Sequence, residues 1–519
     1  MNNLIAVHGG HNATVSLYKD GVYHNVELER LFKRRYFSLI EASYSEFADA
    51  MSRVLDVAKN HWGIENNFDS CQHMAQVEPH HLTALRATVV ANEYVYCQHH
   101  YSHATSALYQ SPFDRALIIS YDGGGNDGWF NLYNAEKGKD LQLIHQFSMN
   151  LGTVYGLFGY PIKEIKSGNK AVLTSFLSLA GKIMGLAAYG TPKPEWMGQF
   201  QSFYMNCKRG DPAAIENFGH SLGEDFSLDS LCEQKAYDLA ATSQRAFEEL
   251  VLGQICPFIN SCRLPVIMVG GCALNVLLNE RIRKIANNQI FVPPNPDDGG
   301  LSFGMLANLT RPKDAVVLTY SGLPILDMEN LPAAVQKYGA TNYTLESIAA
   351  LLKEGKIIGV MRDDSEHGPR ALGNRSIICD PSFPAMKDIL NAGIKFREWF
   401  RPFAPVVCEE DSAKYFDLDL PSQYMSYASK VNAEWLNKLP AITHVDGTAR
   451  VQTVKQTENE WLYNLLQQWK SISPHGVLLN TSFNIKGKPI LTTVEAALEV
   501  LDTTKIDYVI IDNWLFKKG

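Results

Sequence analysis

Two histidines four residues apart, His99 and His103, stand in the stretch Gln98-His99-His100-Tyr101-Ser102-His103-Ala104-Thr105. On a helix that spacing puts both imidazoles on one face, able to grip one metal ion. His100 breaks the pattern and reads as an exposed neighbour. An apolar strand, Ala116 to Tyr121, then runs into Asp122-Gly123-Gly124-Gly125, and a later loop, Pro293-Pro294-Asn295-Pro296-Asp297-Asp298-Gly299-Gly300, offers a second carboxylate. Two His and two Asp form a hard-to-borderline donor set that suits Fe or Zn, with Mn as a further choice. Gly123 and Gly124 would let backbone N–H groups approach a phosphate. The chemistry implied is a metal bound beside nucleotide phosphates. The plain alternative is a chance HxxxH and an ordinary glycine turn.

The elements around these residues favour the first reading. Leu4 to Val7 reads as a buried strand, followed by the turn His8-Gly9-Gly10-His11-Asn12-Ala13-Thr14 and a second strand, Val15 to Tyr18. Lys19-Asp20-Gly21 is a hairpin signal, and a third strand spans Val22 to Leu28. Sugar kinases, actin and Hsp70-type ATPases begin this way, with a first hairpin that cradles phosphate, although fold alone is not function. The strand at Ala116 opens a second, pseudo-symmetric half. Strand Pro265–Val269 leads into Gly270-Gly271-Cys272-Ala273-Leu274-Asn275, a strand–turn–helix platform for a nucleotide. Close helix–strand packing would explain the same glycines. Asp238 to Val251 has helical apolar spacing. Gly181 to Gly190 is a glycine-punctuated loop or short helix whose Lys182 could reach a phosphate.

Polar breaks at Thr310–Asp314 and Ser321–Pro324 announce a new domain. The boundary is placed near residue 335, giving domains 1–335 and 336–519. The second domain gathers cationic and hydroxyl residues at four turns. Arg370 and Arg375 lie in Glu366–Ser376; Lys395, Arg397 and Arg401 lie in Lys395–Phe403; Arg450 ends His444–Arg450; and strand Val477–Leu479 runs into the polar turn Asn480–Asn484, which holds Ser482. Arginine forks bind phosphate and carboxylate bidentately. Any one of these cations could serve a surface ion pair, but all four turns carry Gly, Pro or Asn, as convergence on a small anion requires.

Bulk properties exclude several classes. A chain of 519 residues is too long for one core. An apolar fraction of 46% and a charged fraction of 20% are ordinary for a globular protein. The net charge of -8 gives no whole-chain footprint for nucleic acid. A local basic groove remains compatible with it, and Arg30-Leu31-Phe32-Lys33-Arg34-Arg35 is such a run, although runs of this kind are usually a solvated face. The nine cysteines include no CxxC pair and fit a reducing, cytoplasmic compartment. The start, Met1 to His8, lacks the pattern of a signal peptide, and no window is long and apolar enough for a membrane span.

These motifs resemble the O-carbamoyltransferases of the NodU/CmcH type, which carbamoylate nodulation factors, cephalosporins and aminoglycosides such as tobramycin. The resemblance runs from His8 past Ile490 and is strongest in His99–His103, Gly181–Gly190, Gly270–Asn275, Glu366–Ser376, Lys395–Pro405, His444–Val454 and Asn480–Gly487. It implies an α/β protein with an N-terminal actin/sugar-kinase-like (ASKHA) domain of two pseudo-symmetric halves and a C-terminal YrdC-like domain. It implies carbamoyl phosphate as donor and Mg-ATP as co-substrate. Carbamoyl-adenylate forms in the second domain, and the first passes the carbamoyl group to a hydroxyl-bearing acceptor. The resemblance assigns the metal, iron by expectation, to His99, His103, Asp122 and Asp298. Arg370, Lys395, Arg397, Arg450 and Ser482 bind the phosphates, with Arg401 and Asn480 beside them. Gly9, Gly10, Gly123, Gly124 and Lys182 line the nucleotide, and Gly270, Gly271 and Asn275 flank its nucleoside. His11 is general base to the acceptor hydroxyl, or instead hydrogen-bonds the carbamoyl group.

The chain departs from the family at Asn12, where Asp is usual, at Gly9-Gly10, where a tyrosine precedes the histidine, and at the doubled Asp297-Asp298, of which Asp298 keeps the family's spacing. These departures lie where the acceptor would enter. Acceptors consistent with the sequence are a natural-product or sugar hydroxyl, or a hydroxymethyl-pyrimidine, free or in DNA, where the base would leave the stack. A homodimer is compatible with the chain. Two other readings stay open at this point: a threonylcarbamoyl-type tRNA modification enzyme, and an inactive nucleotide-binding regulator.

Overall fold

The computed structural model describes residues 3–74, 79–165, 173–208 and 210–518. The chain first builds a five-stranded sheet from β1 (Asn3–His8), β2 (Thr14–Lys19), β3 (Val22–Glu27), β4 (Ser70–Met74) and β5 (Tyr94–Cys97). Asp20 and Gly21 take positive φ of 49° and 96°, the conformation a two-residue hairpin needs to match strand twist. β3 stops at Glu27, one residue short of expectation, because Leu28 opens a single helical turn.

A second five-stranded sheet follows, from β6 (Arg115–Gly125), β7 (Gly128–Glu136), β8 (Gln142–Phe147), β9 (Val266–Val269) and β10 (Ile290–Phe291). The strand orders are β3-β2-β1-β4-β5 and β8-β7-β6-β9-β10. In each sheet three antiparallel strands are extended by two parallel ones, so the second repeats the first. β6 does not end at Tyr121 as the glycines suggest. It continues through Asp122 to Gly125, and its pairing with β7 slips between Tyr121 and Gly125. A bulge of this kind re-aims a side chain at the end of a strand, here Asp122.

Two helices lie between the sheets, α1 (His99–Gln110) and α5 (Leu301–Thr310). Their apolar residues, Ala104, Leu108, Phe303 and Leu306 among them, form one buried cluster with Leu4 and Ala6 of β1 and Ile118 of β6. The helices cross closely because residue 304 is glycine: a Cβ there would collide with the Ser102 carbonyl. Outside this layer, α2 (Leu173–Leu186), α3 (Glu233–Cys262) and α4 (Val276–Ile285) cover the second sheet. The Gly181–Gly190 stretch is the last half of α2 and one 3-10 turn, and α3 extends well beyond Asp238–Val251.

The third sheet has eight strands: β11 (Thr341–Asn342), β12 (Ile358–Met361), β13 (Arg375–Cys379), β14 (Ala404–Cys408), β17 (Gln452–Val454), β18 (Leu478–Ser482), β19 (Tyr508–Ile511) and β20 (Trp514–Lys517). β15 (Ala428–Lys430) and β16 (Thr448–Arg450) form a separate ribbon. The sheet is buried on both faces. Met361, Ile377, Val407, Leu479 and Val509 pack on one side, and Ile358, Val360, Ile378, Val406 and Leu478 on the other, the period-two split of a strand. Asn480 and Ser482, expected in a turn, are part of β18. Asn480 stays in the sheet because its Nδ2 donates to Ala371 O (3.0 Å) and Gln452 Oε1 (2.6 Å).

Phe400 and Tyr427 join the core of the second sheet. Arg30, read as part of a solvated run, is 1% exposed. It pairs with Glu27 at 2.9 Å and donates to the carbonyls of Glu366 and Gly368, which docks the third-sheet half on the first sheet. Among the described residues no helix is long and apolar enough to cross a membrane.

Candidate functional site

His99 and His103 sit on the first turns of α1, Asp122 at the bulged end of β6, and Asp298 at the entry to α5. One ligand atom from each lies within 4.8 Å of all the others, and all four residues are buried. Gln98 gives α1 no side-chain cap. The β6–β7 turn supplies it instead: Asn126 Oδ1 accepts from the His99 N–H, and Asp127 accepts from those of His100 and Tyr101, at 2.8–3.0 Å. That turn therefore registers the histidines against Asp122. His100 is buried rather than exposed. Its Nε2 donates to Gly128 O (3.1 Å) and its Nδ1 accepts from Ser120 Oγ (2.8 Å), so it pins α1 to the second sheet.

Three glycine amides at the site hold carboxylates. Gly123 N–H and Gly271 N–H donate to Asp122 Oδ1 and Oδ2 at 2.5 and 2.6 Å. Gly299 N–H donates to Asp297 Oδ1 at 3.2 Å. Gly270 has φ of 93°, and a Cβ there would strike the Tyr121 carbonyl, so close packing alone requires glycine at this position. Asn275 caps α4 through Leu278 N–H and pairs with Gln244, each at 3.0 Å, so both its amide oxygen and its amide nitrogen have protein partners.

The buried donors fit a metal. Among the described residues, His99 and His103 have no hydrogen-bond partner at either ring nitrogen, and Asp298 Oδ1 has none. Orphaned buried polar atoms are costly, and a cation would satisfy one nitrogen of each ring together with the Asp298 oxygen. His103 Nε2 lies 3.2 Å from Asp122 and 3.4 Å from Asp298, and His99 Nε2 lies 3.6 Å from Asp298. Burial would lower the His103 pKa, but Asp122 and Asp298 outweigh it and raise it to about 9. Burial lowers that of His99 to about 3. For Asp122, burial and Asp298 push upward, and His103 overcomes them to bring it to about 2.

The other oxygen of Asp298 faces two more imidazoles. His8 Nε2 is 3.5 Å away and His11 Nε2 3.3 Å away. His8 also contacts His11 O at 3.2 Å, and it lies at the end of β1, fully buried. His11 keeps 35% of its side chain exposed. Gly9 and Gly10 are buried beside them. His8 is missed by sequence reasoning, since a histidine ending a buried strand carries no spacing signal. Asp297 turns away: Asn12 Nδ2 donates to it at 3.2 Å. Its charge reaches Arg370 of the third-sheet half.

That half brings its cations together. Lys395 is 4% exposed, and its Nζ donates to Ser482 O (2.7 Å), Ser482 Oγ (3.1 Å) and Asn484 O (3.0 Å). Arg397 donates to Asn391 Oδ1 (2.7 Å) and lies over the Phe403 ring (4.5 Å). Burial, then Arg397 and Arg401, holds the Lys395 pKa well below its usual value; burial, Arg370 and Arg401 do the same for Arg450. Among the described residues no hydrogen bond or ion pair engages the guanidinium of Arg370 or Arg450, although each lies within the field of other cations. Arg375 differs. It is fully buried and donates to the carbonyls of Arg362, Asp363 and Asn374, so it shapes the turn. Lys182, expected at a phosphate, is 7% exposed and lies 3.0 Å from Glu398.

Two family profiles match the chain: Carbamoyltransferase N-terminus over residues 24–306 and Carbamoyltransferase C-terminus over residues 349–518. An uncharacterized protein of Synechocystis sp. is 33% identical over 480 residues, 81% of this chain and 76% of that protein. Nodulation protein NolNO of Sinorhizobium fredii is 32% identical, over 82% of this chain and 64% of its own length. Nodulation protein U of the same strain is 31% identical, over 80% of this chain and 77% of its own. Among solved structures, full-length HypF in its phosphate- and nucleotide-bound form aligns at 12% identity and a TM-score of 0.36, over 61% of this chain and 47% of HypF.

Proposed function

The chain belongs to the carbamoyltransferase family, and from that premise we propose that it is an ATP-dependent O-carbamoyltransferase working in two steps at two sites. The observation that carries this reading is the pair of unengaged guanidiniums, Arg370 and Arg450, beside Lys395, Arg397 and Arg401. So many partly buried cations repel one another, and a multiply charged anion relieves the repulsion. Carbamoyl phosphate and Mg-ATP meet there, in a YrdC-like domain spanning 336–519. The atoms balance if one water enters, phosphate leaves the donor, and a carbamate oxygen bonds to the α-phosphorus of ATP as pyrophosphate departs. Arg370, Arg397, Arg401 and Arg450 hold the charge that develops on the phosphates. Lys395 orders the Ser482–Asn484 turn beside them.

The second step belongs to residues 1–335, an actin/sugar-kinase-like (ASKHA) domain whose two sheets repeat one strand order. His99, His103, Asp122 and Asp298 would hold the ion, iron first, with zinc or manganese also suited to the set. The ion supplies Lewis acidity toward the adenylate's phosphate. His11, partly exposed beside Asp298, takes the proton of the acceptor hydroxyl. The acceptor oxygen bonds to the carbamoyl carbon, and AMP leaves. The acceptor is a natural-product or sugar hydroxyl, or a hydroxymethyl-pyrimidine of a nucleotide or DNA.

The test omits the acceptor. Purified protein with ATP, Mg and carbamoyl phosphate is expected to give carbamoyl-adenylate or AMP by mass spectrometry, with pyrophosphate. If only bicarbonate plus threonine supports adenylate formation, the reading is overturned.

A further inference from the structure

Glu398 lies between the two halves with its carboxylate divided. Its Oε1 is 3.0 Å from Lys182 Nζ on α2, and its Oε2 is 3.8 Å from Nη1 of Arg401. Lys182 is 7% exposed and Glu398 4%. A buried ion pair is poor evidence for stability, because desolvation offsets most of its attraction. A buried lysine and glutamate in different halves of the chain therefore call for another reason, and Arg401 supplies it. At 3.8 Å the guanidinium is attracted but too far for a hydrogen bond. It is held near Glu398 without being locked to it. α2 also lies against the residues on either side of Arg401, since Gly185 faces the side chains of Phe400 and Pro402.

We propose that Lys182 and Glu398 are a positioning pair for the anion site. Lys182, from the metal-bearing half, takes one oxygen of Glu398, and the other keeps Arg401 at a distance from which it can turn to a phosphate. With Lys182 neutral, Glu398 draws Arg401 into a full ion pair and away from the anion. The inference rests on the carbamoyl-phosphate reading above and adds that the cation cluster depends on a charge lent by the other half of the chain.

The test is acceptor-free release of AMP and pyrophosphate by the full-length protein, with KM for carbamoyl phosphate, KM for ATP and kcat measured separately. Lys182→Met is expected to raise KM for carbamoyl phosphate about tenfold or more. Adding Glu398→Gln to Lys182→Met is expected to bring that KM back toward the Glu398→Gln single variant, and Lys182→Arg to retain the wild-type value. If Lys182→Met does not fold, Glu398→Asp, which shortens the strut, is expected to raise the same KM while Lys182→Arg does not. Variants that lower the unfolding midpoint but leave KM for carbamoyl phosphate unchanged would make the pair structural and overturn the proposal. A rise confined to KM for ATP would place Lys182 on the nucleotide and also overturn it. Wild-type protein that releases no AMP counts against the two-step function itself, whereas wild-type turnover with unaltered variants counts against the pair alone.

Discussion

His367 Nε2 lies 2.9 Å from the carbonyl oxygen of Gly299, one residue beyond Asp298 of the candidate metal centre. A carbonyl only accepts, so this nitrogen carries the proton, and Nδ1 accepts from Asn295 Nδ2 at 3.1 Å. Asn295 Oδ1 in turn accepts from Gln110, at the end of α1, at 3.0 Å. Burial lowers the His367 pKa to about 4, which keeps the ring neutral in this role. The helix with the two histidines, the loop with Asp298 and the turn with Arg370 thus share one chain of hydrogen bonds. His367→Ala leaves Asn295 Nδ2 and Gly299 O buried without partners, at about 1–3 kcal/mol each. The expected result is a clear fall in the urea midpoint and reduced metal per chain by elemental analysis.

Gly304 sets the spacing of the same layer. A methyl group there meets the Ser102 carbonyl, which belongs to α1 backbone and cannot swing aside. Gly304→Ala is expected to force α1 and α5 apart, destabilise the protein by about 1–3 kcal/mol or more, and weaken metal retention. Ala107→Gly, in the same buried cluster, removes volume without adding a clash; it is expected to retain metal. Elemental analysis after dialysis separates the two variants.

Metal binding and stability should follow pH in opposite senses with and without the ion. In stripped protein the His103 pKa is raised to about 9 despite burial, by Asp122 and Asp298. A raised histidine contributes stability that is fully present below its unfolded value of about 6.5 and is lost as pH climbs through about 9, at most about 3 kcal/mol in all. A metal ligand must shed that proton, so the apparent metal affinity rises about tenfold per pH unit over the same window. The stripped protein is therefore expected to melt lower at pH 9 than at pH 6.5, and the loaded protein not to. Thermal unfolding with and without chelator at both pH values checks it.

The histidine pair is legible in the sequence because the helix period alone brings positions 99 and 103 together. Asp122 is legible in kind but not in mechanism: the glycines after it read as phosphate cradles, and in the fold the amides of Gly123 and Gly271 grip the carboxylate itself. The strand register decides that, and no local pattern reports it. His8 and His100 escape for the same reason, since their partners arrive from Asp298 and from the second sheet. Asn480 misleads because a polar residue after three apolar ones resembles a turn, while Gln452 on a distant strand satisfies it inside the sheet. Arg30 reads as surface charge, and only tertiary structure supplies the Glu366 and Gly368 carbonyls that bury it.

The arginines of the third-sheet half divide into two groups that the sequence does not distinguish, and kinetics should separate them. Arg375 is fully buried and donates to three backbone carbonyls. Arg375→Ala strands those carbonyls and is expected to lower the unfolding midpoint sharply. Arg450 and Arg370 hold no protein acceptor among the described residues and lie amid like charges. Removing Arg450 relieves repulsion, so Arg450→Ala is expected to fold as well as wild type or slightly better; Arg370→Ala gives up attraction to Asp297 as well as repulsion from Arg401 and is expected to stay close to wild type. Each should nevertheless lose about 1.5–3 kcal/mol of charge-assisted bonding to the anion, a fall of roughly ten- to more than hundredfold in kcat/KM for carbamoyl phosphate in the acceptor-free assay. Arg450→Lys keeps the charge without the fork and should fall between. Full adenylation by Arg450→Ala and Arg370→Ala together would remove the anion site from this cluster.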